Sequence, residues 1–244
     1  MENKEWFISW FDTQYYHTLY KNRDHSEALG FIKNLTAYLD IPTDAKVLDL
    51  ACGKGRHSVI MHQLGFNVLG VDLSVNSIEA AKSAETSGLT FRVHDMREAI
   101  DNVQFDVVFN LFTSFGYFDD HADNSKVLSA VHRMLRPGGT LVIDFMNSEK
   151  VLANLCPDEV KIVDNIHFQL NRSYNGTHII KDIQFEDDGK KHHYTERVQA
   201  LSIDDFSRLL TLNNFEILRT FGDFDLTPFN PKNSDRLIIV AKRG

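Results

Sequence analysis

The chain has 244 residues, 43% apolar and 25% charged, the balance of an ordinary globular protein long enough to bury a real core. Its net charge of −8 offers a phosphate backbone no attraction and argues against nucleic acid as a partner. Two cysteines, Cys52 and Cys156, make no disulfide framework and suit a reducing compartment. No apolar run approaches the roughly 20 residues of a membrane-spanning helix, and the opening residues lack the basic-then-apolar order of a secretory signal, so the expected location is the cytoplasm.

In chain order, residues 6–20 are aromatic-rich and read as helical. Residues 26–39 place Ala28, Phe31, Ile32, Leu35, Tyr38 and Leu39 near helical spacing, and Ile41-Pro42 ends that helix, because a residue before proline avoids the α region. From Lys46 short apolar runs alternate with helical stretches. Strands are predicted over 47–51, 66–71, 90–93, 105–110 and 140–145, with helices to about 64 and about 85 and over 123–135. That alternation indicates parallel βαβ units with both sheet faces covered. After about residue 150 it stops. Residues 160–170, 177–185 and 192–200 read as three antiparallel strands, turned at Asn175-Gly176 and Asp188-Gly189. A helix capped by Ser202 follows to 212, then strands at 215–221 and 236–242 as a terminal antiparallel pair. The expected architecture is a mostly parallel seven-stranded α/β sheet with helices on both faces and a β insertion. It divides into a helical cap (1–44), a core (45–147), the insertion (155–200) and a terminal helix and hairpin (201–244).

The chemistry concentrates in Val47-Leu-Asp49-Leu-Ala51-Cys52-Gly53-Lys54-Gly55. Glycine lets a backbone approach a ligand closely, and the following helix points free N–H groups at it. The second strand ends at Asp72, where a carboxylate can accept both hydroxyls of a ribose; the plainer alternative is that Asp72 caps the next helix. A nicotinamide dehydrogenase uses the same ingredients, but its third glycine is replaced here by Ser58.

Taken in order, Asp49–Gly55, Val71-Asp72, His94-Asp95-Met96, Phe105–Asn110 and Leu135-Arg-Pro-Gly-Gly-Thr140 resemble the motifs of the class I S-adenosylmethionine methyltransferases, which have a Rossmann-like fold. The resemblance covers about residues 46–147. It implies S-adenosyl-L-methionine as cofactor and methyl transfer by in-line displacement at the sulfonium. It implies a cofactor site of Asp49, Ala51, Gly53, Gly55, His57, Asp72, Leu73, Asp95, Met96, Asn110 and Leu111, with Asp95 and the next backbone N–H meeting adenine. Residues 112–118 and 221–223 resemble more narrowly the small-molecule enzymes that carry a lid-like insertion.

Residues 110–117 are expected beside the methyl group. Asn110, Phe112, Phe115 and Tyr117 are the candidates there, although two of the three aromatics are weighed as core. Tyr16, Tyr20 and Arg23 are expected either to fold over the cofactor and bind its carboxylate or to belong to a packed amphipathic helix. The arm and the insertion are expected to close opposite sides of the site. Arg172, Tyr174, Lys181, Tyr194, Arg197 and Arg236 are candidates for an anionic acceptor or plain surface decoration. His192 and His193 point to opposite faces of a strand and no histidine pair has zinc spacing, so no metal is expected. Small-molecule methyl transfer is the leading function, and a non-catalytic cofactor-binding sensor is the alternative. The acceptor atom, any general base and the oligomeric state are not legible.

Overall fold

The computed structural model describes residues 6–21 and 25–244. Arg23 lies outside the described residues. The chain starts with α1 (Trp6–Phe11) and α2 (Gln14–Leu19). They are separate helices because Thr13 takes an extended backbone and its side chain caps α2 by accepting from the Tyr16 N–H. Then come α3 (His25–Tyr38), β1 (Lys46–Leu50), α4 (Arg56–Gln63), β2 (Asn67–Asp72), α5 (Val75–Ala81), β3 (Leu89–Val93), β4 (Phe105–Asn110), α6 (His121–Met134) and β5 (Leu135–Met146). The second half comprises α7 (Ser148–Ala153), β6 (Asp158–Val163), β7 (Ile166–Tyr174), β8 (His178–Asp187), β9 (Lys190–Gln199), α8 (Ile203–Leu212), β10 (Phe215–Phe221) and β11 (Arg236–Arg243).

Seven strands form one sheet in the order β10-β11-β5-β4-β1-β2-β3. Only β11 runs against its neighbours. The chain winds outward from β1 to β2 and β3 and then crosses to β4 on the other side, so a switch point opens at the carboxyl ends of β1 and β4. Alternation along β1 sends Val47 into one apolar layer and Leu48 into the other. Among the described residues no helix is long and apolar enough to cross a membrane.

The insertion has four strands, β6-β7-β8-β9, one more than the sequence pattern suggests. The stretch read as one strand over 160–170 folds back at Asp164-Asn165, with φ of 50° and 65°. Asp and Asn tolerate these left-handed angles and make the primed turn that suits a hairpin, without the glycine that marks the other two turns. The Pro137-Gly138-Gly139 segment lies inside β5 as an irregularity, not before it. Helix α7 is too short to carry a periodic signal. Ser202 caps α8 in a reciprocal capping box with Asp205.

The face of the insertion that turns inward follows strict alternation. Phe168, Leu170, Ile183 and Phe185 at one end pack against Trp10 of α1 and Leu19 of α2 as a separate apolar cluster. The arm and the insertion therefore lie together, not on opposite sides as expected from the sequence. Their ties include Lys21–Asp164, Lys161 Nζ to Leu19 O at 3.0 Å and Tyr15 OH to Asp187 at 3.0 Å.

Candidate active site

The β1–α4 loop turns left-handed three times, at Ala51 (φ 63°), Gly53 (φ 56°) and Gly55 (φ 79°). The two glycines differ in purpose. A Cβ at Gly53 would meet nothing within 4 Å, because it would project into open space above the strands; one at Gly55 would sit 2.5 Å from the Phe91 ring. Gly53 therefore keeps a cradle clear, whereas Gly55 serves packing and is not on the cavity wall. Ser58, where a dinucleotide fingerprint has its third glycine, is fully buried and donates to Asp49 Oδ2 at 2.5 Å.

Above this loop is a cavity of about 410 Å³. The strand ends supply Asp49, Ala51, Asp72, Leu73, Asp95, Met96 and Leu111; the loop and α4 supply Gly53 and His57; the arm supplies Tyr16 and Tyr20. Asp72 accepts the Gly53 N–H at 2.8 Å and the Ser74 N–H at 2.8 Å. Ser74, not Asp72, caps α5. Burial pushes the Asp72 carboxyl above the usual carboxylate range, opposed by these backbone donors. Burial likewise pushes Asp49 up, to about 6, against the Ser58 hydrogen bond. Burial also pushes the Cys52 thiol up, away from the reactive thiolate.

At the third strand's end Arg97 grips Asp95. The Arg97 backbone N–H donates to Oδ1 at 2.9 Å, and Nε and Nη2 reach the carboxylate at 3.0 and 2.6 Å. Burial acts upward on Asp95, but these donors outweigh it and leave the pKa lowered. Arg97 was not among the residues singled out from the sequence, because an arginine four residues past a strand has no periodic signature.

A second chamber of about 290 Å³ shares Phe11, Tyr16, Tyr20, Phe112 and Tyr117 with the first. Strand register builds its far wall: Arg172 on β7 stands opposite Lys181 on β8, and Lys181 opposite Glu196 on β9. Glu196 is buried and accepts from Trp10 Nε1 at 2.7 Å, Tyr20 OH at 2.8 Å and Lys181 Nζ at 2.7 Å. Burial works to raise its pKa, but Lys181, Trp10 and Tyr20 prevail and lower it. Glu196 lacks any motif, and only the strand pairing reveals it. Arg236 of β11 completes the wall.

The remaining candidates lie elsewhere. Asn110 is buried, donates to Leu50 O at 3.0 Å and ties β4 to β1 without lining either chamber. Phe115 packs on Phe206 in the core. Tyr174 is half exposed and bonds Gly176 O, while Arg197 pairs with Asp119. His192 stacks on Phe185 and His193 faces Asp182 across the strand. Among the described residues no three metal-ligating side chains gather.

The fold and this site match known proteins. The chain is 29% identical over 235 residues to glycine/sarcosine N-methyltransferase of Aphanothece halophytica, covering 91% of this chain and 83% of that protein. A crystal structure of an S-adenosylmethionine-dependent methyltransferase from Clostridium acetobutylicum superposes with a TM-score of 0.80 at 22% identity, over 94% of this chain and 96% of that one. The CcbJ methyltransferase of Streptomyces caelestis also gives 0.80, at 15% identity over 96% and 98%. These two likenesses are of fold. The family model described as "Methyltransferase domain" matches residues 42–201, more than half the chain. The chain belongs to that methyltransferase family.

Proposed function

We propose that the larger cavity holds S-adenosylmethionine and that the enzyme methylates the nitrogen of a small amine in the second chamber. The observation that carries this reading is the shared wall of Phe11, Tyr16, Tyr20, Phe112 and Tyr117. Two chambers separated only by side chains give the contact that in-line transfer requires. The residues fit the cofactor. The clear space over Gly53 admits a ligand backbone-close, Asp72 has lone pairs left for hydroxyls, and the rings of Tyr16 and Phe112 suit a cationic centre. The cofactor supplies a methyl group already activated on a sulfonium.

The chain then has to position, dehydrate and keep the nucleophile unprotonated. Orientation alone is worth several kcal/mol, up to about 7–11 in ideal cases. The chamber is at the small end of ligand pockets. Its lining charges are three cations, Arg172, Lys181 and Arg236, and one carboxylate, Glu196. Each cation already has a carboxylate partner, Lys181 in Glu196, Arg236 in Asp144 and Arg172 in Glu159, so what they offer an acceptor bearing a negative group is their remaining N–H donors. Glu196 is already taken by three donors, so it is not a free base, and the acceptor must bring its own lone pair. Transfer to the nitrogen would break the bound cofactor's carbon–sulfur bond, and the proton then shed by the methylated amine would pass to solvent, since Glu196 is not free to take it. The N-methylating relative from Aphanothece supports this choice of atom.

The test is transfer of labelled methyl from the cofactor to a panel of amino acids, amino sugars and simple amines, with the product located by mass spectrometry. N-methyl products are expected. Transfer confined to hydroxyls or thiols would overturn the amine assignment.

A further inference from the structure

The loop after β4 is strained. Phe112 and Thr113 have consecutive φ values of 65° and 59°, a region uncommon for any side chain and a genuine outlier for a β-branched one. Such a backbone persists only where its surroundings over-determine it. Here one buried ion pair does so. Asp144 on β5 is fully buried. Its Oδ2 accepts the Phe112 N–H at 2.8 Å, and its own carbonyl accepts the Thr113 N–H at 2.9 Å. Its Oδ1 takes Arg236 Nε at 2.8 Å, while Arg236 Nη2 donates to Thr113 Oγ1 at 3.1 Å. The Arg236 guanidinium also lies 5.8 Å from the centre of the Phe112 ring. Phe112 belongs to the wall that separates the two chambers.

We propose that Asp144 and Arg236 are positioning residues for methyl transfer, because they hold Phe112-Thr113 left-handed and thereby fix the aperture between cofactor and acceptor. The inference rests on the assignment of the two chambers given above. An ion pair that served stability alone could have braced any backbone, whereas this one braces an unfavourable one at the place of reaction.

Asp144→Asn keeps one acceptor but loses the charge that binds Arg236. It should lower kcat by about tenfold or more while S-adenosylhomocysteine affinity stays within about twofold. The double variant Asp144→Asn/Thr113→Gly should regain most of that loss, since glycine adopts positive φ at no steric cost. Crystal structures should show residues 112–113 leaving the left-handed region in the single variant and keeping it in the double. Thr113→Gly in the native background should raise Tm, which keeps the test alive if Asp144→Asn does not fold. Unchanged backbone and kcat in Asp144→Asn, a lower Tm in Thr113→Gly, or loss of kcat without rescue would each overturn the proposal. If no amine is methylated by the native enzyme, the acceptor assignment falls, but the backbone angles and Tm still decide the clamp.

Discussion

Lys181 and Glu196 stand directly opposite one another on β8 and β9, with Nζ 2.7 Å from Oε2 and both in reach of the Tyr20 hydroxyl. The pair joins the insertion to the arm, because Glu196 also receives Trp10. Glu196→Gln should destabilise the protein by about 1.5–3 kcal/mol, the usual worth of hydrogen bonds to a charge. Thermal denaturation reads the loss. Since the folded pKa of Glu196 is lowered, its contribution is present above the ordinary carboxylate range and is lost only as pH falls through the lower folded value. The native and Gln variants should therefore converge in strong acid.

Asp49 has the opposite sign. Its folded pKa is raised from 3.8 to about 6 by burial, so the folded state holds its proton more tightly than the unfolded one. Stability from this group is complete below pH 4, falls as pH rises to about 6, and above that leaves a constant penalty on the order of 3 kcal/mol. Asp49→Asn should consequently raise Tm at pH 8 and have little effect at pH 4. A Tm difference independent of pH would contradict the assignment. Where a cationic ligand sits beside Asp49, binding should release a proton near pH 6, which calorimetry in buffers of different ionisation enthalpy measures.

Asp95 meets the cavity with its carboxylate held by Arg97, which in turn reaches Asp123 at 3.1 Å. Asp95→Ala should weaken cofactor binding by about 1–3 kcal/mol. Arg97→Ala should produce part of that loss without touching the cavity wall itself. An unchanged dissociation constant in Asp95→Ala, with the fold intact, would remove Asp95 from the site.

The arm lines the larger cavity through Tyr16 and Tyr20, and Asp12 pins its middle by accepting from Ser74 Oγ at 2.6 Å and the Asn76 N–H at 3.0 Å. Saturating S-adenosylhomocysteine should slow amide exchange in α1 and α2. Exchange unaffected by the ligand would make the arm a permanent structural addition.

The larger cavity was legible because its signals are local. A strand, a glycine loop and an acidic residue at the next strand's end lie within one short segment, and Asp49, Gly53 and Asp72 could be placed from it. In the second chamber Arg172, Lys181 and Arg236 could be named from the sequence, but Glu196 could not, because it meets Arg172 and Lys181 only when β7, β8 and β9 align. The misreading of β6 and β7 as one strand had the same root, a turn made by Asp164-Asn165 without glycine. Phe115 and Phe112 are alike in sequence, and only the sharp left-handed turn at Phe112 puts one in the wall and the other in the core.

The apolar cluster of Trp10 and Leu19 with Phe168, Leu170, Ile183 and Phe185 has a consequence for binding. It ties the arm, which lines both chambers through Phe11, Tyr16 and Tyr20, to the insertion, which lines only the second. A mutation that loosens the cluster should therefore weaken ligand binding in both chambers, although none of the cluster's insertion residues borders the larger one.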